Sequence, residues 1–230
     1  MGENALAIGF HGEGTGDRPD EPTPGLGFPL RARPRLRSMQ VFAVLLVGYL
    51  LGSIDFGVVV ARLKGFDIYA AGSGNPGASN VLRTLGKGPA AVVLVGDALK
   101  GVAAAALGRA VGGDVVAAAA GLAAVVGHVL PLWHRFRGGR GVATALGVAL
   151  YLAPVAGVVL ALLWVGIVAV WKVASIASLV AMMLYVPAMA LAGHRDAALY
   201  LLALVVVVVV ARHAPNIRRL LAGSERTVEG

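Results

Sequence analysis

The chain contains no cysteine, which excludes disulfides and thiolate chemistry. It is also poor in charge: only 14% of its 230 residues are Asp, Glu, Lys or Arg, against 58% apolar residues. Aromatic residues make up 6%, so the net charge of +8 comes without the stacking surface that single-stranded nucleic acid needs. The basic residues sit instead in short loops between apolar runs, which assigns them to membrane topology and anionic ligands rather than to nucleic acid. No group of His, Asp or Glu has metal-ligand spacing, no Ser/His/Asp triad can be assembled, and no internal repeat is found. Neither a metal nor a cofactor is expected.

What the chain does have is long uncharged apolar runs, the mark of an all-α, polytopic integral membrane protein. Residues 1–38, rich in Gly, Pro and charge and without apolar periodicity, read as a disordered tail ahead of a membrane domain over 39–230. Met39 is an alternative initiator. Seven apolar segments follow: Val41 to Ala61, Ala90 to Leu107, Val115 to Leu132, Val142 to Leu152, Val155 to Val170, Ser175 to Leu191 and Ala197 to Ala211. The fourth has 11 residues where roughly 20 are needed to cross a core of about 30 Å. Pro154 either kinks one long span there or separates two crossings. Counting seven crossings puts Arg62, Lys64, Arg83, Lys87, Arg135, Arg137, Arg140, Lys172, Arg212, Arg218, Arg219 and Arg226 on one face. The other face then holds only Arg109 and Arg195, so the first face is cytoplasmic and the N-terminus lies outside. Arg31, Arg33, Arg35 and Arg37 oppose this orientation unless translation starts at Met39.

Three polar stretches share the cytoplasmic face. GSGNPGASN, Gly72 to Asn80, reads as an anion site: Gly72, Gly74 and Gly77 let the backbone approach a ligand, and Ser73, Asn75, Ser79 and Asn80 offer hydrogen bonds. Asn75 before Pro76 predicts a helix over Pro76–Leu85 with Asn75 as its N-cap and its positive end toward the loop. FRGGRGVAT, Phe136 to Thr144, adds a second flexible loop with Arg140, and RHAPNIRRLLAGSE, Arg212 to Glu225, places His213 and Asn216 three apart on one turn. Arg83 and Arg140 carry planar guanidinium forks suited to phosphate. Within the spans, Asp97 and Lys100 are spaced to form a structural ion pair. Asp55 after Gly52 and Ser53 marks a polar cavity or local break, and His128 lies near the end of the third segment. A transporter of organic phosphates would also place cationic loops at an anion site, but related halves and a midplane site are missing.

GSIDFGVVVARLKG, GSGNPGASNVLRTLGK, DALKG, GHVLP, FRGGRGVAT and RHAPNIRRLLAGSE, in this order, closely resemble the bacterial acyl-phosphate:glycerol-3-phosphate acyltransferase family, PlsY, from Leu51 to Glu225. The resemblance implies a seven-helix enzyme of the bacterial inner membrane with its active site facing the cytoplasm. It implies acyl phosphate and glycerol 3-phosphate as substrates, lysophosphatidate and phosphate as products, and action as a monomer in the lipid bilayer. Carried over by position, the family's functional residues fall on Ser73, Arg83, Arg140, His213 and Asn216. Ser73, His213 and Asn216 are thereby expected in catalysis, and Gly72, Gly74, Asn75, Asn80, Arg83 and Arg140 in holding substrate phosphate. His213 is a general base or a positioning group, a substrate phosphate taking the proton in the second case. The family commonly has lysine where Arg140 stands, proline at Asp55, and glutamate at Pro215.

Overall fold

A computed structural model describes residues 34–229. The expected disordered tail falls mostly outside the described residues, but its last five positions do not: the first helix, α1, is Pro34–Ser53 and starts ahead of Met39. It is followed by α2 (Phe56–Leu63), α3 (Ala78–Leu85), α4 (Lys87–Val129), a 3-10 turn (Leu132–His134), α5 (Val142–Leu152), α6 (Pro154–Trp171), α7 (Ala174–Leu191), α8 (Asp196–Arg212) and α9 (Ala214–Leu221).

The break between α1 and α2 is set by Asp55, which accepts hydrogen bonds from the Gly57 and Val58 amides and so caps α2 rather than letting α1 continue. Helix α4 is two arms, not one rod. Gly112 and Gly113 leave helical geometry, Gly113 at φ +72°, a value that favours glycine. A Cβ on Gly108 would fall 2.5 Å from the Val116 carbonyl, so the arms fold back against each other. The second and third apolar segments are therefore separate helices. The same holds at Pro154: it opens α6 at its first turn, and a Cβ on Gly157 would sit 2.5 Å from the Leu150 Cα, so α5 and α6 form a hairpin and not one kinked span.

Glycines then set the helix spacing. A Cβ on Gly52 would lie 2.1 Å from the Ala124 carbonyl and one on Gly127 2.2 Å from that of Tyr49, so α1 and the second arm of α4 meet backbone to backbone. Reciprocal contacts at Gly101 against Thr144 and Gly147 against Ala98 bring α5 equally close to the first arm. In lipid this close approach, not the hydrophobic effect, holds helices together. Helix α5 is buried through Thr144–Ala149, which lets an 11-residue helix sit inside the bundle. Side chains such as Val155, Leu162 and Leu191 point outward, as lipid-facing positions should. Among the described residues four helical stretches are long and apolar enough to cross a membrane, or five if α8 and α9, bent by 54°, count as one.

Polar groups gather at the two ends of α5. Near Leu152, whose carbonyl accepts from His194 Nε2 at 3.3 Å, Asp114 pairs with Arg109 at 2.7 Å. The three motif loops lie at the other end, before Gly141.

Candidate active site

The glycine-rich loop is shaped by Asn80. Its Oδ1 accepts from the Ser73 amide at 2.8 Å and its Nδ2 donates to the Ala71 carbonyl at 3.1 Å. Gly72, at φ +56°, is obligatory here, because a Cβ would land 2.3 Å from that Oδ1. Helix α3 starts at Ala78, with Gly77 as its N-cap, and not at Pro76 as the Asn-Pro pair predicts. The physical reason is that Asn75 Oδ1 accepts from the Gly77 amide at 2.8 Å in an Asx turn, so it shapes the loop instead of capping the helix. Gly74, also at positive φ, stands over the Tyr69 carbonyl. On the far side a Cβ on Gly57 would fall 1.6 Å from the Pro76 carbonyl, so the capped start of α2 is the loop's backstop.

The second loop is held by Arg212, whose guanidinium donates to the Gly138 carbonyl at 3.2 Å and the Gly139 carbonyl at 3.4 Å. That leaves Arg140 as the residue facing inward. Among the described residues no hydrogen-bond or ion-pair partner reaches its guanidinium. Burial, and then the neighbouring Arg219, Arg83 and Arg212, pull its pKa down to about 10 against the opposing pull of Glu225, so it remains a cation at neutral pH. Arg83 is different: its Nε donates to the Thr227 carbonyl at 2.6 Å and one Nη to Asn80 at 3.4 Å. Burial lowers its pKa too.

His213 sits at the bend between α8 and α9, fully buried. Its Nδ1 is 2.8 Å from the Val209 carbonyl, which can only accept, so the proton is on Nδ1 and Nε2 carries a lone pair. Burial pushes its pKa down to about 4, the Val209 hydrogen bond opposing and Arg140 assisting. Asn216 donates its Nδ2 to Glu225, leaving Oδ1 buried and without a partner. Glu225 also accepts from Ser175 at 3.0 Å and Arg219 at 2.7 Å. Burial alone would raise the Glu225 carboxyl, but these hydrogen bonds and the Arg219 charge hold it below the ordinary range.

Two cavities meet at these residues. One is mainly apolar and runs from Ser73, Asn80 and Arg83 past Arg140 and His213 to Leu146, Trp164 and Ser178 inside the bundle. The other is polar and more open, lined by Tyr69, Gly74, Pro215, Asn216, Arg212 and Arg219. Ser73, Asn75 and Arg140 line both. No described group bonds the Ser73 hydroxyl. The expected residues thus converge, except that Asn75 and Asn80 direct their Oδ1 atoms to backbone amides. The sequence marks Arg212 and Arg219 only as basic residues of one face, and Glu225 only as the end of the GSE that closes the last motif; their part in shaping the site comes from the fold. The expected Asp97–Lys100 pair is present at 2.8 Å.

An all-helical bundle of apolar helices with basic, glycine-rich loops at the mouth of a mainly apolar cavity defines an integral membrane protein with a polar site at one end of the bundle. A family model described as glycerol-3-phosphate acyltransferase matches residues 42–223. The glycerol-3-phosphate acyltransferase of Brucella canis is 43% identical over 198 residues, covering 86% of this chain and 98% of the relative. That of Rubrobacter xylanophilus is 45% identical over 195 residues, 84% of this chain and 96% of the relative. The chain belongs to the glycerol-3-phosphate acyltransferase family. Among solved structures, the integral membrane glycerol 3-phosphate acyltransferase PlsY in its glycerol 3-phosphate form superposes with a TM-score of 0.77 at 39% identity, covering 81% of this chain and 94% of PlsY. Its lysophosphatidic acid form gives a TM-score of 0.76.

Proposed function

We propose that this enzyme transfers an acyl chain from acyl phosphate to the sn-1 hydroxyl of glycerol 3-phosphate, at the cytoplasmic face of a bacterial inner membrane, as a monomer that crosses the bilayer seven times. The observation that carries the reading is Arg140: a half-buried guanidinium without a protein partner, shared by an apolar and a polar cavity. A cation drawn partly out of water without a partner is costly and calls for an anion from outside the chain. The apolar cavity suits the acyl chain and the polar one glycerol 3-phosphate, and the reacting carbonyl then lies between Ser73 and Arg140.

Acyl phosphate is an activated anhydride, so no covalent enzyme intermediate is needed. The hydroxyl oxygen attacks the carbonyl carbon, the bond from carbonyl carbon to phosphate oxygen breaks, and phosphate leaves with the hydroxyl proton. The protein's part is to align the hydroxyl with the carbonyl and to stabilise charge as it shifts to phosphate. Arg83, Arg140, the Ser73 hydroxyl and the loop amides of Gly72 and Gly74 serve the phosphates, with Asn75 and Asn80 shaping the loop. Asn216 Oδ1 and His213 Nε2 are acceptors that orient the attacking hydroxyl. With the His213 conjugate acid at about 4, its imidazole is a weaker base than the departing phosphate dianion. His213 therefore positions the nucleophile and the phosphate takes its proton.

The test is product analysis with purified protein in detergent, given glycerol 3-phosphate and either palmitoyl phosphate or palmitoyl-CoA, with Arg83→Ala as control. Phosphate and lysophosphatidate from the acyl phosphate alone, lost in the control, are the expected result. Transfer from palmitoyl-CoA alone would overturn the donor assignment. Glycerol 3-phosphate carriage across liposomes without transfer from either donor would establish the transporter instead.

A further inference from the structure

We infer that His128, locked in place by Lys100, is a positioning residue for acyl transfer: its imidazole is the seat on which the Gly138–Gly139–Arg140 loop rests, and it thereby fixes where the Arg140 guanidinium stands. The inference rests on Arg140 serving substrate phosphate as proposed above.

Lys100 Nζ lies 2.7 Å from the Ile54 carbonyl, 2.8 Å from Asp97 Oδ1 and 2.8 Å from His128 Nδ1. An ammonium has three hydrogens and no lone pair, so against Lys100 the His128 Nδ1 must accept, while Asp97 Oδ1 stands beside both as the counter-charge, 3.5 Å from Nδ1. The ring is then neutral at Nδ1 with its proton on Nε2, and it cannot turn without stranding a buried ammonium hydrogen. A salt bridge serving stability alone would need no imidazole, yet this one ends on His128, which is 3% exposed and lines the apolar cavity beside Arg140.

The loop is moulded to that ring. A Cβ on Gly139 would fall 2.1 Å from His128 Nε2, and one on Gly138 would fall 2.0 Å from the His128 carbonyl. The Gly139 amide donates to that same carbonyl at 3.0 Å. With Arg212 holding both glycine carbonyls, the segment is clamped between two side chains immediately before Arg140. Lys100 ties the seat further: through Ile54 it reaches the helix break that Asp55 caps, and Gly57 just beyond supports Pro76 of the other loop. One buried ammonium thus references both phosphate-facing loops to each other.

The experiment is a double-mutant cycle between His128→Asn and Gly139→Ala, read as kcat and KM for both substrates in detergent, with unfolding midpoints alongside. Asparagine keeps an acceptor for Lys100 but vacates the space under Gly139. In the wild-type background Gly139→Ala is expected to lower kcat/KM about tenfold or more, because its methyl lifts the loop off the ring. On His128→Asn the same change is expected to cost less than about threefold, since the ring atoms nearest to the added methyl are gone. His128→Asn by itself raises the KM for the phosphate substrates, which a purely structural loss would not do. The cycle is run in parallel on His128→Ala, so that one replacement decides if the other fails to fold. Losses that multiply independently in both backgrounds, or a His128 variant with unchanged KM, would overturn the seat. An inactive wild-type enzyme would instead refute the transfer reaction itself.

Discussion

Replacing Glu225 with Gln is nearly isosteric, but it forces a choice that the structure makes specific. In the native site both carboxylate oxygens only accept: Oε1 from Asn216 Nδ2 and Ser175 Oγ, Oε2 from Arg219 Nε. A carboxamide must turn its NH2 toward one side. If it faces Arg219, two donors oppose each other; if it faces Asn216, that amide must flip so that its Oδ1 turns to the new carboxamide. The first choice gives up the Arg219 hydrogen bond that anchors the side chain, and the second turns away the Oδ1 acceptor proposed for the glycerol hydroxyl. A hydrogen bond to a charged group contributes about 1.5–3 kcal/mol, which corresponds to roughly a 10- to 150-fold loss in kcat/KM. The lower half of that range is expected, because the Arg219 side chain is 32% exposed and its pairing is screened. The assay is phosphate release over a titration of glycerol 3-phosphate at saturating acyl phosphate, with the unfolding midpoint measured on the same sample. The KM for glycerol 3-phosphate should rise more than the KM for the donor, since Asn216 lines the polar cavity and not the apolar one. A Glu225→Gln enzyme with kcat/KM within twofold of wild type would refute the claim that this carboxylate sets the Asn216 amide.

Arg140→Ala should lower kcat/KM by about 10²–10³ in phosphate-release kinetics, the usual cost of removing a donor to developing charge, whereas Arg140→Lys should stay within about tenfold because a point charge still reaches phosphate. The His213 imidazole should leave no inflection near 6.5 in the pH profile of kcat/KM, its titration lying at about 4. The same shift has a sign for stability: the unfolded chain takes up the proton at its ordinary pKa while the folded one resists to about 4, so stability is lost as pH falls through that window. The loss is on the order of 3 kcal/mol, and unfolding midpoints of His213→Gln against pH should lack it. Gly57→Ala should push the Pro76 carbonyl away, costing about 1–3 kcal/mol in stability and raising KM for the phosphate substrates, as unfolding and steady-state measurements would show.

Much of this architecture is legible from local chemistry. Uncharged runs announce membrane helices because lipid admits little else, and the motif loops announce themselves as interruptions of those runs. Asp55 behind Gly52 and Ser53 marks a break, and it is found capping α2. Pro154 allows a kink or a reversal, and only packing decides: Gly157 lies against Leu150, so the chain doubles back. The start of α3 is misread because Asn75 has two local partners within reach, the amides of a helix first turn and that of Gly77, and the fold selects the second. Residue identity also says nothing of pairing. From the sequence, Arg140 and Arg83 stand alike as phosphate-suited guanidiniums, and nothing marks which of them the chain itself engages. The fold gives Glu225 to Asn216, Ser175 and Arg219, the glycine-loop carbonyls to Arg212, and the Thr227 carbonyl to Arg83. Each assignment withdraws a partner that Arg140 would otherwise have had. Arg140 is left for an anion from outside the chain, on the function proposed above, because the carboxylate and carbonyls nearest to it are held by other side chains, and that is a property of contacts distant in sequence, which no spacing or composition encodes.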